Sequence, residues 1–163
     1  MLRRGAGWLA GREQVPTSLR AVLGYYADAG VFDAGSLRLK RRVDATVDAM
    51  LADSFGAVEQ ALAAEFGYEY VDFEYDTKLL LPANLTLGYL FRRLDGHEHE
   101  RAADLTHLAV EALLDGDMRD ARNDEEFGDF AVDFDADRDD RRRIAAIAQE
   151  TLAARVDRGL ATY

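Results

Sequence analysis

Residues 37–66 read LRLKRRVDATVDAMLADSFGAVEQALAAEF and residues 67–75 read GYEYVDFEY, and the rhythm of apolar residues changes where the two meet. Val43, Val47, Met50 and Leu51 lead into Phe55, Val58, Leu62 and Phe66 at three- and four-residue spacing. That period predicts one long helix starting after Ser36. The stripe stays in phase past Gly56, so the helix is expected to continue through it, with a bend there, and to end at Gly67. From Glu69 to Tyr75 the period becomes two. Val71, Phe73 and Tyr75 share one face and Tyr70, Asp72 and Glu74 the other, the pattern of a half-buried strand.

Working outward, a first helix is predicted from Thr17 or Ser18 to about Asp28, capped by a hydroxyl and striped by Leu19, Val22, Leu23 and Tyr26. Residues 1–16 read as an arm with Gly5, Gly7, Gly11, Pro16 and the only tryptophan, Trp8. A lone indole in such an arm favours burial, against the chain's own core or a neighbouring subunit. Downstream, Leu79 to Leu81 is expected to extend the strand until Pro82 stops it. Asn84 opens a short helix with Leu85, Tyr89 and Leu90, and Asp95-Gly96 makes a turn. A helix over about Glu98–Leu114 is expected to face Leu105, Leu108, Ala112 and Leu113 inward, and Asp115-Gly116 to close it. Residues 117–127 read as a loop. Phe130, Val132 and Phe134 alternate with Ala131, Asp133 and Asp135 as a second strand, a partner for the first. The last helix, about Asp140 to Arg158, carries Ile144, Ile147, Ala148 and Leu152, with Gly159 after it. The predicted fold is mainly α (α+β): a helical bundle with one long helix, a small two-stranded β element and an N-terminal arm, residues 17–163 forming one domain. Two strands alone are marginal, so they need a helix or another subunit beside them.

The composition narrows the function classes. The net charge is −11, Asp outnumbers Glu, and 18 of the 20 basic residues are Arg, leaving Lys40 and Lys78 as the only lysines. Short carboxylates hold water and hydrated cations, and losing Lys removes long apolar stems that salt would make adhesive. In molar salt the Debye length falls to about 3 Å, so the self-repulsion of −11 is screened. This pattern resembles proteins of extremely halophilic archaea and their viruses. A net acidic chain is a poor general nucleic-acid binder, because that affinity comes from neutralising phosphates. The absence of cysteine excludes disulfides, thiolate nucleophiles and Cys-ligated zinc. No apolar run reaches the roughly 18 residues of a membrane span, and the apolar stretch after Arg3 and Arg4 is too short for a signal peptide. The expected location is a haloarchaeal cytoplasm or a virion.

Few residues ask for chemistry. His97-Glu98-His99-Glu100 supplies imidazole and carboxylate, and His97 and His99 are the candidate metal ligands, but four residues in a starting helix splay apart and read as a polar cap. The Asp133–Asp140 run departs from a calcium loop, with Arg138 where Gly belongs and Ile144 where the bidentate Glu belongs. There is no phosphate-binding glycine loop and no nucleophile elbow. Arg141, Arg142 and Arg143 open the last helix, where positive charge is mildly unfavourable, so they mark a place where something negative docks. Tyr68, Tyr70, Phe73 and Tyr75 crowd the first strand and Phe130 and Phe134 the second; with Trp8 and the three arginines they are the candidate interface residues.

The opening Leu2-Arg3-Arg4-Gly5-Ala6-Gly7-Trp8-Leu9-Ala10 resembles the starts of some small head–tail joining proteins of tailed viruses. Those proteins are mostly β-rich where this chain is helical. A helical class of neck adaptors, which form rings beneath the portal, is the variant the resemblance implies. The expected function is a non-enzymatic assembly protein that forms homo-oligomers and binds other structural proteins, without a cofactor. Its most concrete form is a head–tail connector of a haloarchaeal tailed virus. The alternatives are an intracellular regulatory or adaptor protein with a helical DNA- or protein-binding core, and a metal-dependent enzyme using His97 and His99.

Overall fold

The computed structural model describes residues 34–163. The expected arm, Trp8 and the helix over 17–28 lie outside them. The chain divides into two compact units, Met1–Asp44 and Ala45–Tyr163. The described residues hold four helices and one small sheet: α1 (Ala34–Phe66), β1 (Phe73–Tyr75), α2 (Leu80–Arg93), a single 3-10 turn (Gly96–Glu98), α3 (His99–Asp124), β2 (Phe130–Val132) and α4 (Arg138–Leu160). None of these helices is long and apolar enough to cross a membrane.

The long helix runs unbroken through Gly56, with Val47, Met50, Val58 and Leu62 buried along it. Its end follows from Gly67, whose φ of 74° lies in the left-handed region that glycine adopts without strain. The Tyr68 amide then turns back to the Ala63 carbonyl at 3.0 Å and satisfies one of the last free acceptors. The strands pair antiparallel in the register Phe73–Val132, Glu74–Ala131 and Tyr75–Phe130. They are shorter than the alternation in the sequence, yet that alternation persists beyond them, with Val71, Phe73 and Phe130 buried and Tyr70, Asp72 and Glu74 exposed. The outer side of β1 is stapled to α1, whose Glu59 carboxylate accepts from the Phe73 amide at 3.3 Å. Phe55 packs edge-on against Phe73 and Tyr75. The support that two strands need therefore comes from α1.

Three expectations are corrected. Leu79–Leu81 does not extend the strand. α2 begins at Leu80, and Pro82 sits in its first turn, where a missing amide hydrogen leaves no helical bond unmade. The first bond of that helix runs from the Ala83 amide to the Leu79 carbonyl, beyond the proline. Second, α3 does not close at Asp115-Gly116 and residues 117–124 are not a loop. A glycine inside a helix costs about 1 kcal/mol, and here Leu114, Met118 and Ala121 stay in helical phase across it, all buried. Third, Gly159 does not follow α4 but lies inside it, where its missing Cβ admits Leu108, whose nearest carbon would stand 2.6 Å from an added methyl.

α4 is enclosed all round at one level. Five consecutive residues, Ile144 to Ala148, are buried, so every side of the helix meets protein at that level. Small alanines at 145, 146 and 148 permit the close approach. Its start is well formed: the Asp137 carboxylate accepts from the amides of Asp139 and Asp140, and Asp140 returns the contact to the Asp137 amide.

Candidate functional site

α1, α3 and α4 bring five polar side chains together: Asp53 and Ser54 from α1, His107 and Glu111 from α3, and Arg155 from α4. Ser54 is completely buried, on the very stripe that carries Met50 and Val58, and Glu111 is nearly so. A buried polar group must find partners, and these do. The Ser54 hydroxyl donates to Glu111 Oε1 at 3.1 Å and lies 3.0 Å from His107 Nε2. His107 Nε2 stands 3.3 Å from Glu111 Oε1 and 3.9 Å from Asp53 Oδ2. The Arg155 guanidinium donates to both carboxylates, Nε to Glu111 and a terminal nitrogen to Asp53.

Serine, histidine and carboxylate in contact invite comparison with a hydrolytic triad, and the geometry rejects it. A triad histidine meets serine through one ring nitrogen and the acid through the other. Here Nε2 alone faces Ser54, Asp53 and Glu111. The serine proton points to Glu111 rather than to the imidazole, and a fully buried hydroxyl meets no substrate. Among the described residues, Asp53, His107 and Glu111 are also the one set of three groups within ligating reach of a single ion. Arg155 already bridges the two carboxylates, so a cation there would displace it or sit against its charge. The cluster is a polar junction, its two carboxylates bridged by Arg155, that ties three helices together.

Glu111 carries its electrostatics. Burial works to raise its pKa, but hydrogen bonds and positive charge from His107 and Arg155 outweigh that and hold the carboxyl at about 2. A folded-state value below the unfolded value of about 4.3 makes the carboxylate stabilising at neutral pH, and the contribution disappears as pH falls towards 2. The difference corresponds to roughly 3 kcal/mol. Melting temperature should therefore fall steeply from about pH 5 downward, and Glu111→Gln should flatten that slope. A variant profile as steep as that of the parent would locate the acid sensitivity elsewhere.

The candidates from the sequence are dispersed. His99 is buried, stacks on Phe91 at 4.3 Å and places Nε2 3.2 Å from the Leu94 carbonyl, fixing the α2–α3 corner; His97 is exposed. Neither belongs to the set within ligating reach of one ion. Arg142 pairs with Glu125 and Asp139, Arg143 with Glu65, and Arg141 donates to the Phe127 carbonyl at 3.4 Å. Arg138 joins Arg142 on Glu125, whose carboxyl these hydrogen bonds hold below its usual range. Phe73 and Phe130 are core residues. Burial, with Asp117 beside it, pushes the half-buried Tyr75 hydroxyl up, and that hydroxyl donates to Asp117 at 3.3 Å. Phe134 packs between Phe66 and Tyr68, and Tyr70 is the most exposed of the group.

The uncovered surface lies elsewhere. Residues 79–91 are the longest stretch of the chain without a charged side chain, and they supply all of α2 before Arg92 and Arg93. Ala83, Leu87 and Phe91 face the core. On another side Leu81, Leu85 and Tyr89 stand 65%, 52% and 60% exposed, one helical turn apart. This corrects the expected inward set on α3 as well: Leu105, Ala112 and Leu113 are exposed, and Ala102, Thr106, Val110 and Leu114 are buried in their place. Between α2 and α3 runs an apolar groove of about 200 Å³, walled by Pro82, Thr86 and Leu90 on one side and Leu105, Ala109 and Leu113 on the other. Comparison with protein families, with curated proteins and with solved structures finds no match to the chain.

Proposed function

We propose that this chain is a non-enzymatic assembly protein that forms homo-oligomers. The observation that carries the reading is α2. A helix with apolar residues on nearly every side belongs in an interior, and this one leaves Leu81, Leu85 and Tyr89 in water. With Leu105 and Leu113 they bare on the order of 500 Å² of side chain, near the top of the range for an ordinary monomer. The polar cluster favours no competing function, since its serine is sealed and its two carboxylates are bridged by Arg155. The arginines at 142 and 143 engage acids of the same chain, which speaks against a basic face for DNA.

The most concrete form of the proposal is a head–tail connector of a haloarchaeal tailed virus. The resemblance of residues 2–10 and the Asp- and Arg-rich, Lys-poor composition support it. The test is the mass in solution by light scattering across a KCl series from dilute to multimolar. A defined oligomer is expected at high salt, where screening removes self-repulsion and apolar contacts strengthen. A monomer at every salt concentration would end the assembly reading.

A further inference from the structure

Resting on that reading, we propose that successive copies join head to tail, the Leu81–Leu85–Tyr89 ridge of one copy seating in the α2/α3 groove of the next. The two surfaces sit on the same helix and complement one another. The ridge is a row at i, i+4 and i+8, the kind of row that packs into the grooves of a neighbouring helix. The groove is an apolar slot whose α2 wall is Pro82, Thr86 and Leu90. Each wall residue follows a ridge residue directly in sequence, so ridge and groove are offset by about 100° around the helix axis.

That offset allows a contact that does not close on itself. A surface that presents its knob and its hole in different directions lets each copy hold one neighbour by its knob and another by its hole. Such heterologous contacts close into rings or run on as filaments, whereas an isologous contact stops at two. Size agrees as well. An apolar cavity of about 150 Å³ holds a benzene ring, so a groove of about 200 Å³ admits a leucine or tyrosine side chain. Each head-to-tail contact covers one ridge and one groove, on the order of 500 Å² of bare apolar side chain together, the apolar centre of an interface whose polar rim supplies the rest of a standard area. On a chain of net charge −11, residues 80–91 of α2 are a surface that a second copy covers without burying a charge.

The experiment uses complementary variants of the full chain in multimolar KCl. Leu85→Asp spoils the ridge and leaves the groove; Ala109→Asp spoils the groove and leaves the ridge. Both positions are exposed, so helical circular dichroism should be unchanged. If either variant loses helicity, Leu85→Ser or Ala109→Ser replaces it. The parent chain should scatter as more than two copies. Each variant alone should be monomeric, with association weakened about a hundredfold or more by a carboxylate forced into an apolar contact. An equimolar mixture should recover a particle of two chains and grow no further, because one intact ridge and one intact groove remain. A parent that is monomeric at every salt concentration overturns the assembly reading and this contact with it. A parent oligomer whose mass survives both substitutions overturns the contact alone. A parent that stops at two chains, or a mixture that stays monomeric, overturns the head-to-tail arrangement.

Discussion

Arg155→Met is expected to remove about 3 kcal/mol or more of unfolding free energy, the low end of what breaking a buried ion pair costs. The arginine is the only fixed positive charge among the five polar groups at the meeting of α1, α3 and α4. Without it Glu111, 5% exposed, keeps only Ser54 and His107. Asp53 is exposed and recovers by hydration, which limits the loss. Against the 5–15 kcal/mol of a typical domain this is a large fraction, so denaturant midpoints in multimolar KCl should move well outside error. Adding Glu111→Gln to Arg155→Met should restore much of it, since an amide still accepts from Ser54 and carries no charge. The same loss in the double variant would show that Arg155 acts through packing of its stem. Acid sensitivity gives an independent readout. Removing the guanidinium lets burial raise the Glu111 carboxyl, so the Arg155→Met protein should lose less stability between about pH 5 and 2 than the parent does.

That cluster is not legible in the sequence as a set. Asp53 and Arg155 stand 102 residues apart, and only helix packing brings them together. Two local signals are nonetheless present. Ser54 falls on the apolar stripe of α1, between Met50 and Val58, and a hydroxyl there must find a partner. Glu111 lies one helical turn beyond His107. The period-based parts of the fold are legible because burial follows period there: α1 with its stop at Gly67, the alternation in both strands, and the stripe of α4. Gly116 misleads because a glycine's cost is only about 1 kcal/mol, less than the burial of Leu114, Met118 and Ala121 returns.

The phase of α2 and α3 is harder to read, and the cause bears on function. Both helices carry two apolar faces, and periodicity cannot say which one the chain's own core takes. Leu85, Tyr89 and Leu90 on α2, and Leu105, Ala112 and Leu113 on α3, are the more prominent rows in sequence. The core instead takes Ala83, Leu87 and Phe91 from α2, and Ala102, Val110 and Leu114 from α3. A row strong enough to read as a core and left in water is what an interface looks like before its partner arrives.

The adjacent pair Leu113 and Leu114 turns that argument into a measurement. Leu114 is completely buried and Leu113 is 53% exposed, so one residue step separates the two faces. Leu114→Ala should cost about 2–5 kcal/mol, the lost transfer energy plus the cavity left behind. Leu113→Ala should change the stability of the single chain by no more than about 0.5 kcal/mol, as surface substitutions do. Association stabilises whatever it binds and would blur the comparison. Both substitutions therefore belong in the Leu85→Asp background, where the chain is expected to be monomeric. At roughly 2–4 °C per kcal/mol for a chain of this size, the melting temperatures should separate by several degrees or more. In the parent background the order of effects on mass should reverse: Leu113→Ala should weaken association by removing part of the groove wall, while Leu114→Ala should leave the contact surface intact in whatever fraction stays folded. If Leu113→Ala proved the more destabilising change in the monomer, Leu113 would belong to the core, and the apolar face assigned to a second copy would be the chain's own interior.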